Sequence, residues 1–163
     1  MPNTLMLEGV LDEQASEEIL LNALSEVKRG SFKPPLIVDF AQVRYANSRG
    51  GLVWLKFARA ASVPFKYVNA PVWLINQFNM ITDFFVNGSY VESMFAPYFA
   101  PATSDSKSFM LKIGRDFPVM QDYSGFAMPN RSADGKNYEP DFEPSRYFYF
   151  ITQNFKTFKE VFK

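Results

Sequence analysis

The stretch that decides the fold is Leu36-Ile37-Val38-Asp39-Phe40-Ala41-Gln42-Val43-Arg44-Tyr45-Ala46-Asn47-Ser48-Arg49-Gly50-Gly51-Leu52. Pro34-Pro35 precedes it, and Leu36–Phe40 is a short apolar run bounded by turn signals, which reads as a buried strand. A polar turn follows before Asn47. Asn47-Ser48-Arg49-Gly50-Gly51 then opens a helix-length segment whose apolar positions are Leu52, Leu55, Phe57, Ala58 and Ala61, and Pro64 breaks it. Ser48 and Asn47 both suit the N-cap, because a short side-chain oxygen there accepts a first-turn N–H.

Working outward, Thr4–Leu11 is rich in aliphatic residues and reads as a strand. Asp12 can cap the helix that follows. Glu17 and Glu18 near its start and Lys28 and Arg29 near its end match the helix dipole. Ile19, Leu20, Ala23, Leu24 and Val27 form one apolar stripe, and Gly30 supplies a stop. On the other side, Phe65–Val68 is a short strand, and Pro71 begins a helix carrying Val72, Leu74, Ile75, Phe78 and Ile81. The order β-α-β-α-β-α predicts an α/β fold with helices packed on a largely parallel sheet, joined by right-handed crossovers.

The second half changes character. Most of the 18 Phe and 8 Tyr fall there. Gly88–Phe99 reads as extended, Phe109–Ile113 as a strand, and residues 114–142 as loop. Asp134-Gly135-Lys136-Asn137 is a turn signal within that loop. Phe148, Ile151, Phe155, Phe158 and Phe162 recur at steps of three and four after Pro144, which predicts one amphipathic helix ending the chain. Strand alternation over Tyr147–Ile151 covers fewer residues. The expected organisation is a domain over residues 1–86 and an aromatic-rich extension over 87–163 packed on it.

Composition sets the chemistry. The 163 residues balance 17 Lys+Arg against 17 Asp+Glu and contain neither Cys nor His. A disulfide framework, Cys/His zinc sites and nucleophile–histidine pairs are thereby excluded. Carboxylates cluster at Asp12-Glu13, at Glu17-Glu18 and at Glu139, Asp141 and Glu143. The first two groups suit a helix start and the third a Pro-rich approach to the last helix, so no catalytic role is assigned to them. Trp54, Phe57 and Trp73 read as core or interface. The scattered basic residues predict no nucleic-acid partner. No leader and no apolar run of membrane-spanning length stand out, which predicts a cytoplasmic chain without a membrane span. Nothing calls for a cofactor or a metal.

The quoted stretch resembles the STAS domain family, which includes the anti-sigma-factor antagonists. The family's signature is an apolar strand ending in Asp, a short turn, and Asp-Ser-Ser-Gly at a helix start. Leu7-Glu8-Gly9-Val10-Leu11-Asp12 is similar to its early strand, and Phe65–Pro71 to its next strand and helix. The resemblance spans roughly residues 5–82. It implies a STAS-like fold and a bacterial, non-enzymatic regulatory module that binds a protein partner, usually a kinase-like anti-sigma factor. By position, Ser48 becomes the phosphoacceptor, with Asn47, Arg49 and Gly50 completing the docking surface. Asn47 stands where the family has Asp, Arg49 where it has a second small hydroxyl residue, and Gly51 where an aliphatic is usual. A phosphate at such a Ser meets first-turn N–H groups and brings about −1.5 to −2 charges to a docking surface. In the extension, Ala96–Thr103 looks like a Cys-less, degenerate zinc ribbon, with Ala100 and Thr103 in the places of ligands. Two other readings stay open: a scaffold or homodimer built on the aromatic extension, and a binder of small ligands in an aromatic pocket.

Overall fold

The computed structural model describes residues 4–11, 13–30 and 33–163, with 5–11, 13–17, 19, 24, 48 and 82 described by backbone alone. Asp12 lies outside the described residues. The fold is mixed α/β. In chain order the elements are β1 (Thr4–Leu11), α1 (Glu13–Lys28), β2 (Leu36–Ala46), α2 (Ser48–Ala61), β3 (Phe65–Val68) and α3 (Val72–Met80). An irregular 3-10 stretch, Thr82–Gly88, leads to β4 (Tyr90–Val91), β5 (Ser93–Ala100), β6 (Asp105–Lys112), β7 (Arg131–Ala133) and β8 (Lys136–Pro140). Three short helices follow: α4 (Pro144–Tyr147), α5 (Tyr149–Gln153) and α6 (Phe155–Val161). Two compact units form, interleaved in sequence: Met1–Asn69 with Asp83–Glu92, and Ala70–Thr82 with Ser93–Lys163.

The first unit holds a parallel four-stranded sheet in the order β1-β2-β3-β4. Strand periodicity puts Leu36, Val38 and Phe40, with Phe65 and Tyr67, on its buried face. Helix α2 meets that face: the Trp54 ring lies 6.0 Å from Phe40 and 5.7 Å from Phe65. Its buried stripe is Trp54, Phe57, Ala58 and Ala61, spaced i, i+3, i+4, i+7, with Leu55 beside it. Leu52, expected among the apolar positions, is instead 57% exposed, because it falls off that stripe. Each large side chain so buried contributes about 1.5–3 kcal/mol. In α1, Leu20 and Ala23 are buried, and the helix stops at Gly30 (φ 73°).

Strand β2 overruns the expected turn. It continues to Ala46, pairing with β1 as far as Leu11↔Ala46, whereas β3 stops opposite Asp39. The register shifts twice, between Met6 and Glu8 and again between Gly9 and Val10, so β2 carries two extra residues. Each bulge inverts the in–out alternation. Polar Gln42 and Arg44 therefore sit in a strand with no regular pattern, which is why the segment reads as a turn. The bulge is supported locally: the Asp39 carboxylate accepts from the Ala41 N–H at 2.9 Å and from the Asn69 amide at 2.9 Å.

The second unit departs from a parallel plan. Its sheet is antiparallel, in the order β6-β5-β8-β7. Strands β7 and β8 lie inside the segment expected to be loop. Asp134 (φ 53°) and Gly135 (φ 70°) form the two-residue turn that joins them, a geometry that needs positive φ at both positions. Met94, Ala96, Tyr98, Leu111 and Tyr138 are buried on one face of this sheet. Around Phe148 the aromatic rings close a core: Phe117 stacks on it at 4.1 Å, and Tyr123 meets it edge-on at 5.1 Å. Gly114 (φ 87°) lets the chain pass under Phe162, whose ring would stand 3.4 Å from a Cβ there.

The single terminal helix is also corrected. It breaks at Phe148 and Asn154. Asn79 of α3 donates to the Tyr147 carbonyl (3.0 Å) and accepts the Phe150 N–H (2.8 Å), taking backbone groups that a continuous helix would use. Asn154 donates from its side chain to the Phe150 carbonyl at 2.7 Å. The stripe still buries Phe148, Ile151 and Phe158, and Tyr147 and Phe150 join them.

Candidate functional site

The turn between β2 and α2 stands at the carboxyl end of a parallel strand, where ligand- and partner-binding loops of α/β sheets gather. Asn47 is the N-cap. Its backbone is extended (φ −94°, ψ 172°), its Oδ1 accepts the Gly50 N–H at 2.8 Å, and its carbonyl accepts the Gly51 N–H at 3.3 Å. Ser48 is thus the first helical residue rather than the cap; its side chain is outside the description. Gly50 is buried and Arg49 is exposed. The four sequence-derived positions, Asn47, Ser48, Arg49 and Gly50, therefore share one helical turn with distinct tasks. Asn47 and Gly50 fix the helix start, while Ser48 and Arg49 are first-turn residues at the positive end of the helix dipole.

Two neighbours escaped the sequence reading. Tyr45, two residues before the cap, is 59% exposed, and Leu52, three residues after Arg49 on the same helix face, is comparably exposed. The exposure of Leu52 was available from spacing, since it misses the Trp54-Phe57-Ala58-Ala61 stripe. That of Tyr45 was hidden by the bulges. The two residues bracket Arg49 in sequence with exposed large side chains.

Beneath the helix, the Trp54 indole N–H donates to the Tyr67 hydroxyl (3.2 Å), which donates to the Phe84 carbonyl (3.2 Å). Burial pushes the Tyr67 phenol well above its ordinary range, against a smaller opposing effect of the Trp54 bond. The chain of bonds satisfies every polar atom it includes and fixes the helix floor.

The other candidates separate. Glu139 and Asp141 are exposed, and Glu143 accepts from the Ser145 hydroxyl (3.1 Å) and pairs with Arg146 (3.2 Å). Ala100 and Thr103 lie at the β5–β6 turn, where Thr103 donates to the Asp105 carboxylate at 2.7 Å. Among the described residues no group of three or more carboxylates stands ready to hold a metal. Nor is any described helix long and apolar enough to cross a membrane. Trp54 and Phe57 are core residues, and Trp73 is half-buried. Comparison with protein-family models, curated proteins and solved structures finds no match to this chain.

Proposed function

We propose that this chain is a non-enzymatic regulatory module of the STAS kind that binds a protein partner through the β2–α2 turn, with phosphorylation of Ser48 as its switch. One observation carries the reading. Asn47 takes the cap, which leaves Ser48 as the first residue of a 14-residue helix at the carboxyl end of a parallel strand. A phosphate at that position gains from the first-turn N–H groups and the positive helix end, and adds about −1.5 to −2 charges to the surface a partner meets. Arg49, exposed beside it, and the apolar Tyr45 and Leu52 give that surface the mixed composition of a binding patch. The partner implied is a kinase-like anti-sigma factor, and the reading carries with it a cytoplasmic location.

The test is quantitative capture of a native partner by wild-type, Ser48→Ala and Ser48→Asp chains, with phosphosite mapping of the chain isolated from cells. Wild type and Ser48→Ala should retain the partner, and Ser48→Asp should lose most of it. Equal retention by all three overturns the switch. A partner retained equally by Arg49→Glu, with Tyr45 and Leu52 also changed to Ser, overturns the surface.

A further inference from the structure

We propose that Met80 is a reversible oxidation site. It takes one oxygen atom from a hydroperoxide, and the sulfoxide replaces the apolar thioether with a polar acceptor in the groove that Met80 lines. The chain has no Cys, so its sulfur redox chemistry rests on 7 Met. Met80, the last residue of α3, is 70% exposed, the most open of the large apolar side chains described. Met94 and Met128 are buried, and Met110 and Met120 are half-buried.

The surroundings of Met80 give the modification a consequence. It lines an open groove of about 360 Å³ shared with Phe142, Tyr147, Asn76, Asn79, Glu143 and Arg146. Phe142 and Tyr147 supply rings, the environment in which a thioether sits well. In the reaction the sulfur lone pair attacks the outer peroxide oxygen and the O–O bond breaks. The departing oxygen takes up the proton and leaves as water when the oxidant is hydrogen peroxide. Sulfur is oxidised and peroxide reduced. The product is polar and chiral. Its oxygen is a strong acceptor placed in a groove that carries the Asn76 amide as a donor, beside an Arg146 guanidinium already paired with Glu143 at 3.2 Å. Asn79, the residue before it, is committed to Tyr147 and Phe150, so oxidation changes the groove without removing that clamp. Exposure also lets a reductase reach the sulfoxide, whose return to thioether consumes two thiols, forming a disulfide and water.

The experiment treats the native chain with dilute hydrogen peroxide and follows each methionine by peptide-resolved mass spectrometry. A buried thioether reacts only through local opening. The peptide containing Met80 should therefore gain oxygen at least about tenfold faster than those containing Met94 and Met128, the ratio set by about 1.4 kcal/mol of opening free energy. Met80→Leu, a swap of similar volume, should fold normally and leave the slower sites unchanged. Methionine sulfoxide reductase with a dithiol should then restore Met80 in the folded chain. The proposal falls if Met80 oxidises no faster than Met94 and Met128. It also falls if the reductase repairs the isolated peptide but not the folded chain.

Discussion

The hydroxyl of Tyr98 gives the sharpest test of the packing. Tyr98 is fully buried in the antiparallel sheet, and among the described residues its hydroxyl has no hydrogen-bond partner. Its ring is well held, 5.0 Å from Phe109 and 5.9 Å from Phe142, both edge-on. Burying a hydroxyl without a partner costs about 1–3 kcal/mol. Tyr98→Phe keeps the ring contacts and removes that cost, so it should be neutral or stabilising by up to about 2 kcal/mol. For a chain of this length each kcal/mol moves the melting temperature by about 2–4 °C. The comparison variant is Tyr67→Phe, the same atom deleted from a satisfied site. It strips the Trp54 indole N–H of its acceptor and the Phe84 carbonyl of its donor, and should cost about 2–4 kcal/mol. Urea denaturation of wild type and both variants, read by circular dichroism, measures the two values side by side. Tyr98→Phe losing more than about 1 kcal/mol would refute the reasoning, since the hydroxyl would then be contributing a bond.

Two further outcomes follow from hydrogen bonds in the second unit. Asn79→Ala should cost about 2–3 kcal/mol by orphaning the Tyr147 carbonyl and the Phe150 N–H. Hydrogen exchange should show the Phe150 amide losing protection, and unchanged protection there would count against the clamp. Asp116 is also well connected: its carboxylate accepts the Lys112 N–H at 2.7 Å and pairs with Arg115 at 2.8 Å and Arg131 at 3.8 Å. Burial alone would raise its pKa, but these partners together hold it below the ordinary carboxylate value. A depressed carboxylate stabilises above its unfolded pKa of about 3.9, and that contribution is lost as pH falls through the lower folded value. Asp116→Asn should thus destabilise by about 1–2 kcal/mol at pH 7, with the gap to wild type closing under acid. A gap independent of pH between neutrality and pH 2 would contradict the assignment.

Periodicity was informative wherever one side of an element is buried and its register is regular. Thr4–Leu11 forms a strand as its aliphatic content indicates, Phe65–Val68 buries alternate residues, and α2 buries most of its apolar stripe. The cap at Asn47 was legible because its side chain acts on the backbone three residues away. The missed features all depend on distant partners. The second half of β2 is a strand only because β1 is there to pair with its bulged backbone. Strands β7 and β8 are short and polar, and only their Asp134-Gly135 turn is loud in the sequence. The terminal helix is broken by Asn79, about seventy residues upstream, a competitor that no local pattern contains. At the β2–α2 turn, the helix start over Asn47–Gly50 was legible in the sequence, whereas the exposure of Tyr45 depends on the bulges.

The interleaving of the two units bears on how the chain is made. Asn69 ends the first segment of the parallel-sheet unit, α3 then emerges as part of the other unit, and Asp83–Glu92 returns to supply β4. On the ribosome, where residues appear at about 5–20 per second, the parallel sheet cannot acquire its last strand before α3 has been synthesised. The helix in turn waits for Ser93–Lys163 to supply its partners. The same order governs gene-level rearrangement, because no single continuous segment of the coding sequence carries either unit without part of the other. A duplication or fusion that preserves the parallel sheet must therefore carry α3 along with it.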